Sequence, residues 1–150
     1  MYKRILVPVD GSAPSKRGLE EAVRIADSDT TLRVIHVVNE LNVAPALLPM
    51  MKVDEVLAGQ RQQANAVLHA AMETAKQCRG VCQSAIIETM GTEAAHAIVK
   101  EARDWDADLI VMGTHGRRGL RRLALGSDAE LVLRLSPVPL LLVREKPEAT

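Results

Sequence analysis

The chain has 150 residues, 47% of them hydrophobic, and 19 Lys+Arg stand against 19 Asp+Glu. One domain, residues 1–150, is expected at this length, and it buries roughly 68–70% of its unfolded surface without needing a disulfide or metal staple. The even charge argues against a disordered chain and a general nucleic-acid binder, and an aromatic set of only Tyr2 and Trp105 argues against a base-stacking platform.

Strand and helix patterns alternate along the chain. Lys3–Val9 reads as a strand that ends at Asp10-Gly11-Ser12. Leu19, Ala22, Val23 and Ala26 then recur at helical spacing. Ser12 or Ala13 is the expected N-cap, with Pro14 in the first turn, where its missing N–H does no harm. Leu32–Val38 is a second strand, and Asn39–Met51, with Pro45 and Pro49, is a loop. Val53 to Ala75 carries the longest helical pattern, from Val53, Val56 and Leu57 through Ala64, Val67, Leu68 and Ala71, and Gly80 follows its end. Val81–Thr89 is a third, less apolar strand. Thr92 is the expected cap of a helix bearing Ala94, Ala97, Ile98 and Ala102. Leu109–Met112 is a short apolar run suited to a strand buried on both faces. A loop with four glycines, Gly113–Gly126, precedes a helix with Leu131, Val132 and Leu135. Val138–Val143 is the last strand, and 144–150 is a polar tail.

This alternation implies a parallel sheet with right-handed crossovers and helices on both faces. Ligands of such sheets bind at the carboxyl ends of the strands, where the strand order reverses. Asp10-Gly11-Ser12, Val38-Asn39 and the segment from Gly113 should therefore converge on one crevice.

The N-terminal apolar run is broken by Pro8 and closed by Asp10, too short for a signal-peptide core, and no stretch approaches the ~18 apolar residues of a membrane helix. Cys78 and Cys82 are spaced C-x3-C, which is neither the redox C-x-x-C nor half of a zinc site. Two free thiols are expected, with a redox switch as the alternative. Together these features imply a cytoplasmic protein with no membrane partner.

The chemistry concentrates in one loop. Gly113, Gly116, Gly126 and Ser127 form the pattern G-x2-G-x9-G-[ST], with a strand before it and a helix after it. Glycines let the backbone approach a ligand, and a helix N-terminus favours an anion. Arg117, Arg118, Arg121 and Arg122 add positive charge. A di- or triphosphate is the simplest ligand. Neither G-x-x-x-x-G-K-[ST] nor a G-x-G-x-x-G after the first strand is present, which disfavours a Walker-type phosphate-transfer machine.

With these motifs the chain resembles the universal stress protein family over nearly its whole length. The resemblance rests on Ile5–Ser12, on Ile110–Gly116, on the Gly126-Ser127 doublet and on Pro137–Val143. It implies a three-layer α/β/α sandwich with a five-stranded parallel sheet in the order 3-2-1-4-5, the adenine nucleotide α-hydrolase-like fold. It further implies the ATP-binding branch, a stress-response regulator rather than an enzyme, with at most slow ATP hydrolysis. ATP is the expected ligand, with AMP or ADP in its place and Mg2+ accompanying the phosphates. Carried over by position, Pro8, Val9 and Asp10 would hold adenine and ribose, and Val38 would meet adenine through its backbone. Met112, Gly113, His115, Gly116 and Arg117 would line ribose and phosphates, and Gly126 and Ser127 would hold the terminal phosphates. The family often has a small apolar residue after Gly-Ser, and here Asp128 stands there. An acid in the first helical turn suits the dipole but repels phosphate if it points inward.

Plainer readings stand beside these. Asp10 could close a turn by accepting a backbone N–H. A phospho-accepting receiver would need Asp at the end of the third strand, where Glu88-Thr89-Met90-Gly91 stands. His115 lacks the partners of a catalytic base and is read as a loop or phosphate contact. His36 reads as a satisfied core or interface histidine, and His69 and His96 as surface residues. Val138–Val143 is apolar on both faces, and Pro139 suits an edge. A second copy paired across a twofold axis would cover that edge, giving a homodimer. A dimerisation module without nucleotide, a weak ATP hydrolase and an adenylating enzyme are the rival functions, and the protein partner is not identified.

Overall fold

The computed structural model describes residues 1–40, 49–50, 52–115 and 125–144. Five parallel strands form one sheet: β1 (Arg4–Pro8), β2 (Thr31–Asn39), β3 (Val81–Thr89), β4 (Leu109–Gly113) and β5 (Leu140–Val143). Their order is β3-β2-β1-β4-β5, as the family resemblance implied. The helices are α1 (Ala13–Ile25), α2 (Val53–Ala75), α3 (Ala94–Asp104) and α4 (Ser127–Leu135).

Side-chain alternation divides the core into two layers. Ile5, Val7, Leu32, Val34 and Val111 face Leu19 and Ala22 of α1 and Leu68 and Ala71 of α2. Leu6, Ile35, Ile110 and Met112 face Ile98, Val99 and Ala102 of α3 and Val132 of α4. Every residue of β4 is buried, as a central parallel strand requires. β3 and β5 are the edges, and β5 is only half-buried.

Several boundaries differ from the sequence expectation. The start of α1 does not: Ser12 caps it as expected, its side chain accepting from Ser15 N, with Pro14 in the first turn. Thr92 does not cap α3. That position is Glu93, with no side-chain cap bond. Instead the Thr92 carbonyl accepts from Thr89 Oγ1 at 3.2 Å, and Asn39 Oδ1 accepts from Gly91 N at 3.0 Å. The last strand begins at Leu140, not Val138, because Pro139 offers only its carbonyl, which accepts from Ile110 N at 3.0 Å. In α2 the apolar period starts at Val53, yet Val53 is 46% exposed and the buried stripe begins at Ala64. Among the described residues no helix is long and apolar enough to cross a membrane.

The amino ends of the strands are fastened by polar contacts. The Asp108 carboxylate accepts from the Lys3 and Arg4 amides at 2.8 and 3.0 Å. Arg33 donates to Glu101 at 2.7 Å, joining β2 to α3, and the guanidinium groups of Arg4 and Arg33 lie 4.7 and 5.7 Å from the Trp105 ring centroid. The opposite, carboxyl ends of the strands are thereby left to carry the cleft.

One close approach positions α1. A Cβ on Gly18 would stand 3.1 Å from Gly113 N, and a Cβ on Gly113 would stand 2.5 Å from the Pro14 carbonyl carbon. Replacing Gly113 by Ala should therefore overpack the α1–β4 contact and lower stability by about 1–3 kcal/mol. Gly59 on α2 has open space around it, so Gly59→Ala should raise stability by roughly 0.5–1 kcal/mol through helix propensity alone. Urea unfolding of the two variants checks both signs.

Cys78 and Cys82 are free thiols. Cys82 donates to the Ala75 carbonyl at 3.4 Å, and Gly80 N donates to Cys78 Sγ at 3.4 Å. Burial, with the neighbouring Cys78 thiol adding to it, pushes the Cys82 thiol up to about 12. The folded chain thus keeps a proton that the unfolded chain releases near pH 9. The Cys82 contribution to stability is intact below that pH and is lost as pH rises from about 9 towards 12. At pH 8, Cys82 should react with iodoacetamide at least about 100-fold more slowly than an ordinary peptide thiol. Equal rates, read by mass spectrometry of the digested protein, would contradict this.

Candidate functional site

The site is assembled from three strand ends and the start of one helix. After β1 the chain bends through Gly11, whose φ of 82° favours glycine. Asp10 Oδ1 accepts from Ser12 N at 2.9 Å, the turn-closing bond weighed in the sequence. Ser15 Oγ donates to the Ser12 carbonyl at 3.0 Å and accepts from Asp10 N at 3.3 Å. This net of short bonds fixes the Asp10 backbone at the head of α1.

β2 supplies the second edge. Val9 N donates to the Ile35 carbonyl at 2.8 Å, which extends the β1–β2 pairing past Pro8. His36 Nδ1 lies 2.7 Å from the Val9 carbonyl. Asn39 reaches across to Gly91 and so ties the end of β2 to the turn before α3.

β4 and α4 supply the third. Gly126 N donates to the Thr114 carbonyl at 2.8 Å, and Thr114 N donates to the Val143 carbonyl at 3.0 Å. The two ends of the glycine-rich loop are therefore joined by a hydrogen bond. Gly126 is the N-cap of α4 and has no side chain to satisfy the first amides. Those amides and the dipole make the start of α4 a place for negative charge. Asp128 is exposed in that first turn.

These edges enclose a cleft of about 740 Å³ at the carboxyl end of the sheet. Pro8, Val9 and Asp10 line it from the end of β1 and the turn after it, Val38 from β2, and Met112, Gly113 and His115 from the end of β4 and the residues after it. Gly126 and Ser127 complete it from α4. Nine of the residues singled out from the sequence thus meet in one place. Gly116 and Arg117, and with them Arg118, Arg121 and Arg122, lie outside the described residues. Among the described residues, no group of three or more His, Cys, Asp or Glu could hold a metal ion.

The cleft also holds residues that the sequence reading did not assign to it. His36 lines it, although its place in an apolar strand suggested core. Gln60 and Gln63 of α2, and Glu93 at the start of α3, line it too. Gln60 is half-buried one turn before Ala64, where the buried stripe of α2 begins, and a polar residue at that helical spacing was the available signal. Among the described residues Gln60 Oε1 and His115 Nε2 are buried without a hydrogen-bond partner, while His115 Nδ1 lies 3.0 Å from Thr114 Oγ1. A buried polar atom left unpaired costs about 1–3 kcal/mol, so the cleft retains hydrogen-bonding capacity.

Fold and cleft together define a sheet of the adenine nucleotide α-hydrolase-like type, with its crevice at the strand-order switch between β1 and β4. Comparison with known proteins agrees. The sequence matches the universal stress protein family over residues 1–144, and the chain belongs to that family. It is 34% identical to universal stress protein YxiE of Bacillus subtilis over 151 residues, covering 96% of this chain and all of that one. A universal stress protein of Lactobacillus plantarum superposes with a TM-score of 0.80 at 28% identity, over 95% of this chain and 98% of the other. Three more distant structures, 14–24% identical with TM-scores of 0.66–0.68, share the fold over at least 94% of each chain. One carries AMP (Arabidopsis thaliana), one dAMP (Archaeoglobus fulgidus) and one cAMP.

Proposed function

We propose that residues 1–150 act as one cytoplasmic domain that binds an adenine nucleotide, ATP foremost, and works as a regulator rather than an enzyme. The observation that carries this reading is the convergence of Asp10, Val38, Gly113, Gly126 and Ser127 on one cleft, beside a helix N-terminus free of any side-chain cap. The nucleotides held by related folds support it. In this reading the purine lies against Pro8, Val9 and the Val38 backbone, and Asp10 meets the ribose hydroxyls. Met112, Gly113, His115, Gly116 and Arg117 follow the ribose and phosphates, which end on Gly126 and Ser127 with Mg2+ as their companion. Each phosphate oxygen near α4 gains from amides already oriented, so little ordering entropy is lost on binding. Bound nucleotide would order the glycine-rich segment and shift the population of partner-binding states.

Calorimetric titration tests this. The protein should bind ATP with micromolar affinity, and Asp10→Ala should weaken binding at least about tenfold through loss of a charge-assisted hydrogen bond. At 100 times the dissociation constant, ATP should add about 2.7 kcal/mol of stability. Phosphate release should stay slow throughout. No heat and no stabilisation at millimolar ATP, or rapid turnover abolished by Asp10→Ala, would overturn the reading.

The same reading makes the protein a homodimer through the segment Val138–Val143. Among the described residues β5 is an apolar edge strand paired to β4 alone, and an open edge of that kind is covered most simply by its own copy. Light scattering at micromolar concentration should give twice the 16.3 kDa chain mass. A monomer mass would remove the dimer.

A further inference from the structure

This inference rests on the nucleotide reading above and concerns a wall of the cleft that reading leaves unused. His36 has the same parity on β2 as Leu32 and Val34, which pack with Leu68 and Ala71 of α2. Gln60, half-buried one turn before Ala64, continues the line of the buried stripe of α2 towards the same end. Both side chains line the cleft.

Their hydrogen bonding fixes what they can offer. His36 Nδ1 is 2.7 Å from the Val9 carbonyl oxygen, which can only accept. Nδ1 therefore carries the proton, and Nε2 of the neutral ring is a bare lone pair. Among the described residues nothing donates to it. Gln60 Oε1 is a second acceptor, buried and without a partner among the described residues. Two acceptors on one wall match a group with two donors. An exocyclic amine has two N–H bonds, whereas a carbonyl would set lone pairs against lone pairs. Val38, which the nucleotide reading sets against the purine, lies only two residues further along β2.

We propose that His36 Nε2 and Gln60 Oε1 form an acceptor pair that receives the exocyclic amine of the base and makes the cleft select 6-amino over 6-oxo purine nucleotides. The pair acts by differential binding. The amine satisfies both acceptors, and the oxo group leaves them unpaired and desolvated.

The test is calorimetry with AMP and IMP on the wild type, on Gln60→Met and on His36→Asn. The Met side chain keeps the volume of Gln60 and removes its acceptor. The Asn amide can still donate to the Val9 carbonyl but has no counterpart of Nε2. The wild type should prefer AMP at least about tenfold. Each variant should lose about tenfold in AMP affinity and keep IMP affinity within about twofold. Free Gln60→Met should also melt at a higher temperature than the wild type, since it no longer buries an unpaired acceptor. This opposite movement of stability and affinity is not expected of a packing residue. An unchanged AMP-to-IMP ratio in both folded variants, or equal losses for both nucleotides, overturns the acceptor pair alone. Absence of AMP binding by the wild type overturns the nucleotide reading and this inference with it.

Discussion

The close approach of α1 to the end of β4 is the constraint on which the rest of the architecture turns. β1 and β4 are neighbours at the centre of the sheet, and the chain winds outward from them in opposite directions, to β2 and β3 on one side and β5 on the other. A crevice opens where those directions part. Gly18 and Gly113 allow the backbone of α1 to rest on β4 without an intervening side chain. That contact holds the Asp10–Ser15 turn at one lip of the crevice, while the Gly126–Thr114 hydrogen bond brings α4 to the other.

The two ends of the sheet do different work. At the amino ends polar groups are paired: Asp108 with two amides, Arg33 with Glu101, and Trp105 beneath two guanidinium groups. At the carboxyl ends, among the described residues, Gln60 Oε1 and His115 Nε2 are buried without partners, and Asp27 Oδ2 beside the amino end of β2 shares that condition. Such atoms lower stability by about 1–3 kcal/mol each, a penalty the two apolar layers can carry. Asp128 belongs to the same balance. An acid in the first turn favours α4 itself, and it competes with any anion placed there.

Much of the fold was legible in the sequence because parallel strands and amphipathic helices have different periods. Leu109–Met112 reads as a buried strand and is one. The glycine spacing marked the loop after β4, and the resemblance to the family supplied the strand order. What escaped were contacts between distant segments. Asn39 takes the Gly91 amide from 52 residues away, so the turn before α3 is held from β2 and not by a Thr92 cap. His36 reads from the sequence as a satisfied core or interface histidine, and the Val9 carbonyl does satisfy its Nδ1. Three residues from the carboxyl end of β2, its inward position faces the cleft. Gln60 escaped because a helical pattern counts apolar residues and passes over the polar one among them. Val53 erred the other way, since it fits the apolar period of α2 yet stays exposed at the first position of the helix.

The most direct measurement of the central claim is amide chemical-shift mapping of the 15N-labelled protein during titration with ATP. The account predicts saturable shifts at Asp10, Val38, Gly113, Gly126 and Ser127, with the amides of Trp105 and Asp108 at the far end of the sheet unmoved. Shifts confined to the β3 edge or to the amino ends of the strands, with the cleft silent, would contradict it.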